Sequence, residues 1–269
     1  MIMNNHLVKK NIPSVLPVDD DLGIPLLDII TVQRSLEEIV LSKDTRDSLE
    51  NFLEEHRRAD ILYSYNRKPS YKVLFNGDVG CGKTMAAEAI AYELNLPLAI
   101  VRLDSLISSS LRKTVVNFHK IFDFIKNNEM IILFNEFDAI AKERFSFHDM
   151  GELGRTVSVF SQMLSFYQGK SIILAETNYN IIIDRTILKR FDYKIRFPLP
   201  DYKQILKILK LKLRGVKLQF KLDDKKLSEL FDDYSGARIE RVVRKAINKM
   251  VLNQNESLTI QDLEYSIKH

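Results

Sequence analysis

Lys83 and Thr84 close the string Gly77-Asp78-Val79-Gly80-Cys81-Gly82-Lys83-Thr84, which fits G-x-x-x-x-G-K-[ST] at every fixed position. Gly77, Gly80 and Gly82 let the backbone turn tightly and bring N–H groups up to an anion. Lys83 offers a point positive charge for the β- and γ-phosphate oxygens, and the Thr84 hydroxyl can ligate Mg²⁺. The string predicts a nucleoside triphosphate site. A second cluster follows at Asn135-Glu136-Phe137-Asp138, behind the apolar run Met130-Ile131-Ile132-Leu133-Phe134. In nucleotide hydrolases a strand of this kind carries an acid for the metal, then a glutamate that polarises the attacking water. Glu136 stands at the glutamate position and Asn135 at the metal-acid position. An amide keeps one oxygen for a Mg²⁺-bound water but gives up the charge. Asp138 lies beyond the strand end, on another side of the chain, and is a poor substitute. Another apolar run, 171–175, leads to Thr177-Asn178, an amide at a strand tip that can hold the attacking water. Arg190 precedes Phe191-Asp192, and Ser235-Gly236-Ala237-Arg238 opens a helix with apolar spacing.

These residues need elements to hold them. The runs 71–75, 98–103, 130–134, 171–175 and 194–197 read as strands, and 84–94, 112–126 and 152–167 as helices between them. Such alternation implies parallel strands with crossover helices. A β-rich run before the glycines and an Ala-rich helix after them make an anion site at a helix N-terminus. Ser42 can cap a helix over residues 43–56. After Pro200 the pattern is helical only. Asp201 can cap residues 202–214, ended by Gly215; a second helix fits 224–231; Ser235 can cap a third, and Thr259 starts a last one. Three of the seven prolines and the acidic turn Asp19-Asp20-Asp21 fall before residue 31. Residues 1–35 therefore read as an irregular arm, 36–200 as an α/β nucleotide-binding core, and 201–269 as a helical lid.

Composition narrows the class. A chain of 269 residues, 45% hydrophobic and 28% charged, is an ordinary globular protein. No apolar run approaches the ~20 residues that span a bilayer, and the N-terminus shows no unbroken signal-peptide core. One cysteine, Cys81, excludes an internal disulfide and a cysteine metal cage, and a cytoplasmic setting is expected. The five histidines, His6, His56, His119, His148 and His269, show no ligand spacing. A net charge of +4 is too mild to argue for nucleic acid. Lys203, Lys207, Lys210 and Arg214 form a stripe that reads as a solvated face. Phe160, Met163, Leu164 and Tyr167 at helical spacing read as core or subunit contact.

In order, the phosphate loop, the Asn-Glu strand, the Thr-Asn strand, Arg-Phe-Asp and the Ser-Gly-Ala lid helix resemble the AAA+ ATPases, over residues 36–269. Closest in pattern are compact bacterial single-ring members, because Gly151-Glu152-Leu153-Gly154-Arg155 matches a Gly-Glu-x-x-Arg segment of theirs. The resemblance implies a P-loop parallel sheet followed by a small helical lid, with ATP and Mg²⁺ as ligands. It implies that loop residues 77–82, Lys83, Thr84 and Met85 hold the nucleotide, with Thr84 and Asn135 at the metal. Glu136 would be the catalytic base and Asn178 the sensor amide. Arg190 would be the finger reaching a neighbouring subunit's γ-phosphate, with Arg185 and Arg155 as alternatives. Ile39 and Val40 lie where the family packs adenine, and Ala237-Arg238 where the lid senses phosphate.

Two departures bear on function. Asn135 reads either as a strand-end cap without a metal role or as part of a weaker Mg²⁺ site; the second predicts slow hydrolysis. Ser110-Leu111-Arg112 stands where many members carry an aromatic-hydrophobic-glycine pore loop, so polypeptide threading is not favoured. The expected function is an oligomeric ATPase, a ring or partial ring, that remodels or regulates a separate protein partner, in antiviral defence or beside a protease. The alternatives are a nucleotide-gated scaffold with slow hydrolysis and a DNA-associated, clamp-loader-like ATPase. No membrane partner is expected.

Overall fold

A computed structural model of the chain describes residue 13 and residues 15–106, 111–138, 152–178, 185–222 and 225–268. Ser110, Gly151, His6, His148 and His269 lie outside the described residues, as do the side chains of Leu111 and Arg155.

Six strands form one sheet in the order β1-β3-β4-β5-β2-β6. They are β1 (Leu27–Ile30), β2 (Lys72–Gly77), β3 (Leu98–Val101), β4 (Ile131–Phe134), β5 (Ile172–Thr177) and β6 (Tyr193–Phe197). The pairs β2·β5, β5·β4 and β4·β3 are parallel. Strands β4 and β5 are buried along their whole length, which is why they read as unbroken apolar runs rather than alternating ones. The helices of this region are α1 (Lys43–Arg57), α2 (Ala59–Ser64), α3 (Lys83–Glu93), α4 (Leu103–Leu106), α5 (Leu111–Asn127), α6 (Glu152–Phe166) and α7 (Arg185–Leu188). Ser42 accepts the Thr45 backbone N–H at 3.2 Å, at the start of α1. Helix α3 buries Ala86, Ala87, Ala89 and Ala91, small enough for close packing. Phe160 of α6 is the centre of the core. The rings of Phe118, Phe122, Phe134 and Phe137 stand 5.2–5.7 Å from it, tilted or edge-on. Met163, Leu164 and Tyr167 pack into the same cluster.

The reading of residues 1–35 as an irregular arm is corrected at its C-terminal half. Strand β1 pairs antiparallel with β3, Leu27 opposite Val101, and Leu26 and Leu27 are fully buried. Four residues carry too little periodicity to announce a strand; the open edge of β3 supplies the partner. The acidic turn is pinned as well. Asp19 accepts the N–H groups of Asp21 and Leu22, both at 3.0 Å, and the Asn117 amide of α5 at 2.8 Å. These bonds hold the Asp19 carboxyl below its ordinary range. Lys120 bridges to Asp20 and Lys113 to Asp21.

The chain forms two compact units. Described parts of residues 1–38, 47–76 and 83–196 make the first, and 39–46, 77–82 and 197–269 the second. The second is built on α8 (Tyr202–Lys212), α9 (Lys225–Glu229), α10 (Gly236–Leu252) and α11 (Ile260–Lys268). Asp201 and Gln204 form a reciprocal capping box at α8, and Gly215 follows at φ +82. Thr259 and Asp262 cap α11 through mutual hydrogen bonds. Ser235 stands at the N-cap of α10, but its hydroxyl makes no cap bond there. Ile205, Leu209, Phe231, Ile239, Val243 and Leu263 close this unit's own core. Lys203, Lys207, Lys210 and Arg214 are all exposed.

Candidate nucleotide site

Lys83 and Thr84 are the first residues of α3, directly after the glycine loop. Lys83 is only 6% exposed, and its ammonium donates to Asn178 Oδ1 at 2.8 Å. Thr84 Oγ1 donates to Glu176 Oε2 at 2.9 Å. Parallel pairing of β2 and β5 explains the convergence. Glu176 is level with Phe75 and Thr177 with Asn76, so the tip of β5 stands beside the strand that feeds the loop. Ligands gather at such carboxyl ends of parallel strands.

Glu176 is the residue the motif reading missed. It is 3% exposed, and its second oxygen, Oε1, is buried without a hydrogen-bond partner. Burial pushes its carboxyl up to about 7, against the lowering effects of the Thr84 bond and the Lys83 charge. The available signal was a glutamate inside an otherwise apolar run just before Thr177-Asn178. An orphaned carboxylate oxygen next to a threonine hydroxyl suits a hard, oxygen-seeking cation, so the residues present fit Mg²⁺.

Asn135 is half-buried at the end of β4. Its Oδ1 accepts the backbone N–H of Glu136 at 2.9 Å. Glu136 itself is exposed and holds φ at +51, a left-handed conformation uncommon for glutamate. Asp138 is buried and accepts from the Thr177 hydroxyl at 3.4 Å, away from Thr84. Arg190 is exposed in the turn after α7. Its neighbours are anchored: Phe191 packs edge-on against Phe137 at 5.7 Å, and Asp192 accepts the N–H groups of Tyr71 and Lys72. Arg185 is exposed too.

The loop residues 77–82 fall in the second unit. Gly77, Gly80 and Gly82 hold φ at +151, +80 and +97. A Cβ on Gly77 would meet the Phe197 carbonyl oxygen at 2.0 Å, so no larger residue fits. The Gly80 carbonyl accepts the Ala237 N–H at 3.1 Å, and a Cβ on Gly80 would lie 2.6 Å from that of Ala237. The start of α10 therefore sits on the loop. Val79 is exposed, while Asp78 is linked to Cys81 by a backbone bond of 3.4 Å. Ile39 is buried with its Cγ2 3.8 Å from a Cβ on Gly82, and Val40 packs on the helical core. Arg238 lies over the Tyr234 ring, 3.6 Å from its centre, and donates to the Tyr234 hydroxyl at 3.0 Å. Met85 is half-buried in the first turn of α3.

Among the described residues, no group of three histidines, cysteines or acids is placed to hold a metal, and no helix is long and apolar enough to cross a membrane.

Residues 73–199 match the family model for the ATPase family associated with various cellular activities (AAA). The chain is 36% identical over 239 residues to the uncharacterized AAA family ATPase y4kL of Sinorhizobium fredii, covering 89% of this chain and 72% of that protein. It is 34% identical over 185 residues to the proteasome-activating nucleotidase of Pyrococcus furiosus, covering 66% of this chain but only 46% of that one. The chain belongs to the AAA ATPase family, with the family's P-loop sheet and C-terminal helices.

Proposed function

We propose that the chain binds ATP with Mg²⁺ at the 77–84 loop, hydrolyses it slowly, and works as a ring or partial ring that remodels or regulates a partner protein. Residues 36–200 serve as the nucleotide-binding core and 201–269 as the lid. The observation that carries this reading is the pairing of Lys83 with Asn178 and of Thr84 with Glu176, at 2.8 and 2.9 Å. A buried lysine, a hydroxyl, an amide and a carboxylate then meet at one strand tip.

In this reading Lys83 leaves Asn178 for the β- and γ-phosphates, and Asn178 is freed to orient water. Glu136 accepts the proton of the water that attacks the γ-phosphorus, and the bond to the ADP oxygen breaks. Mg²⁺, held from Thr84, neutralises phosphate charge when bound. Arg190 answers a neighbouring copy's γ-phosphate, because it is exposed beside two anchored residues. Arg238, stacked on Tyr234, would be the lid arginine that senses the γ-phosphate. The name of the Pyrococcus relative supports a protein partner. Slow turnover, or a nucleotide-gated scaffold, is favoured by one specific contact: the Asn135 oxygen is already used by the Glu136 N–H.

Steady-state phosphate release tests the reading. Wild-type protein is expected to turn over ATP, and Glu136→Gln to lose about 10²–10⁴ of the rate while still binding ATP. Equal rates in the two proteins would refute the assignment of Glu136; absence of ATP binding in wild type would refute the reading itself.

A further inference from the structure

The family places its metal acid at position 135, where this chain has an amide, and that amide's oxygen is turned onto its own backbone. A carboxylate nevertheless reaches the Thr84 hydroxyl. It comes from the next strand. Strands β4 and β5 run parallel with Phe134 opposite Ala175, so the residues after each, Asn135 and Glu176, stand at the same level of the sheet. The Phe137 N–H donating to the Glu176 carbonyl at 2.7 Å keeps the two strand ends together. We infer that Glu176 supplies the anionic group of the Mg²⁺ site, doing from β5 what an acid at position 135 does elsewhere in the family; this rests on the ATP·Mg²⁺ reading above.

Three observations carry it. The Glu176 side chain is almost wholly buried, where a carboxylate is costly unless something compensates its charge. Its Oε2 lies 2.9 Å from Thr84 Oγ1. Neighbouring oxygens of an octahedral Mg²⁺ shell, with bonds of about 2.0–2.1 Å, stand about 2.9 Å apart. Its Oε1 is buried and has no partner, which is what an acceptor kept for an ion or for ion-bound water looks like. The charge lost at Asn135 is thus regained one strand away.

The test measures ATP affinity of the full chain, with Mg²⁺ and with EDTA. Wild type is expected to bind more tightly with Mg²⁺. Glu176→Gln is expected to lose about 10–100-fold of that Mg²⁺-dependent gain. Its affinity in EDTA should rise, because a buried negative charge beside the phosphates has gone. Adding Asn135→Asp to Glu176→Gln should restore the gain. A Mg²⁺ gain unchanged in Glu176→Gln, or absent from wild type that does bind ATP, overturns the inference. So does a stable double variant that recovers nothing. Wild type that binds no ATP in either buffer sinks the ATP reading instead. If Glu176→Gln melts early, Glu176→Asp takes its place, with Mn²⁺ resonance as readout: weaker Mn²⁺·ATP binding is expected, and unchanged binding overturns the inference.

Discussion

Lys83 and Glu176 are charged groups taken almost completely out of water, with Asn178 accepting from the Lys83 ammonium and the Thr84 hydroxyl donating to Glu176. Such groups carry an energetic cost that a bound ligand can recover. Lys83→Ala is expected to abolish detectable ATP binding, since no other cation of the first unit stands at the Asn178 tip among the contacts described; calorimetric titration checks it. Glu176 makes a second prediction, for the nucleotide-free protein. Its folded-state value of about 7 lies above the ordinary 4.5, so in that interval the folded chain holds a proton the unfolded chain has released. The charges that face it come from α3: Lys83, which lowers the value, and Glu88, which raises it. The stability this group contributes is fully present below pH 4.5 and is lost as pH rises through 7. Urea midpoints across that range should show a downward slope that Glu176→Gln removes. An identical slope in both proteins would count against the burial of this carboxyl.

At the scale of elements, the glycine loop is shaped by what lies against it. Gly77 has the Phe197 carbonyl where a Cβ would be, and Gly80 has Ala237 and the Ser235 hydroxyl. Both also hold φ values that suit glycine alone. Gly80→Ala should break the bond from the Ala237 N–H and push the start of α10 off the loop, with a loss of about 1–3 kcal/mol in stability. Thermal melting together with proteolysis of residues 235–240 measures it; a variant that melts like wild type contradicts the close approach. The Ser235 hydroxyl makes no cap bond, and it lies 2.8 Å from where a Cβ on Gly80 would stand. Periodicity located this helix, but the job of its first turn is a matter of contact.

Whole-molecule behaviour depends on the core and, in the proposed function, on assembly. Phe160 touches four other rings and is fully buried. Phe160→Ala should cost about 3–5 kcal/mol and lower the unfolding midpoint sharply. Arg190 speaks to assembly. It is exposed, so Arg190→Ala should fold normally. Its ATPase rate is expected to fall about 10³–10⁵-fold, with ATP affinity near that of wild type. Mixing Arg190→Ala with Glu136→Gln should restore part of the rate, because each supplies what the other's pocket lacks. No rescue at any ratio would argue against an arginine acting between copies.

Local sequence by itself determined the phosphate loop, the strand–helix alternation, the helical C-terminal part and the family. Each is written in residue types at short spacings: glycines where the backbone must turn, apolar runs where strands are covered on both faces, Asp201 three residues before Gln204. Only the tertiary structure decided the fate of the acidic turn and β1, which depend on α5 and on the free edge of β3. It alone brought Glu176 to Thr84, 92 positions apart in the chain. Strand register sets which side chains share a level of a sheet, and register between parallel strands is a long-range property that no local pattern states.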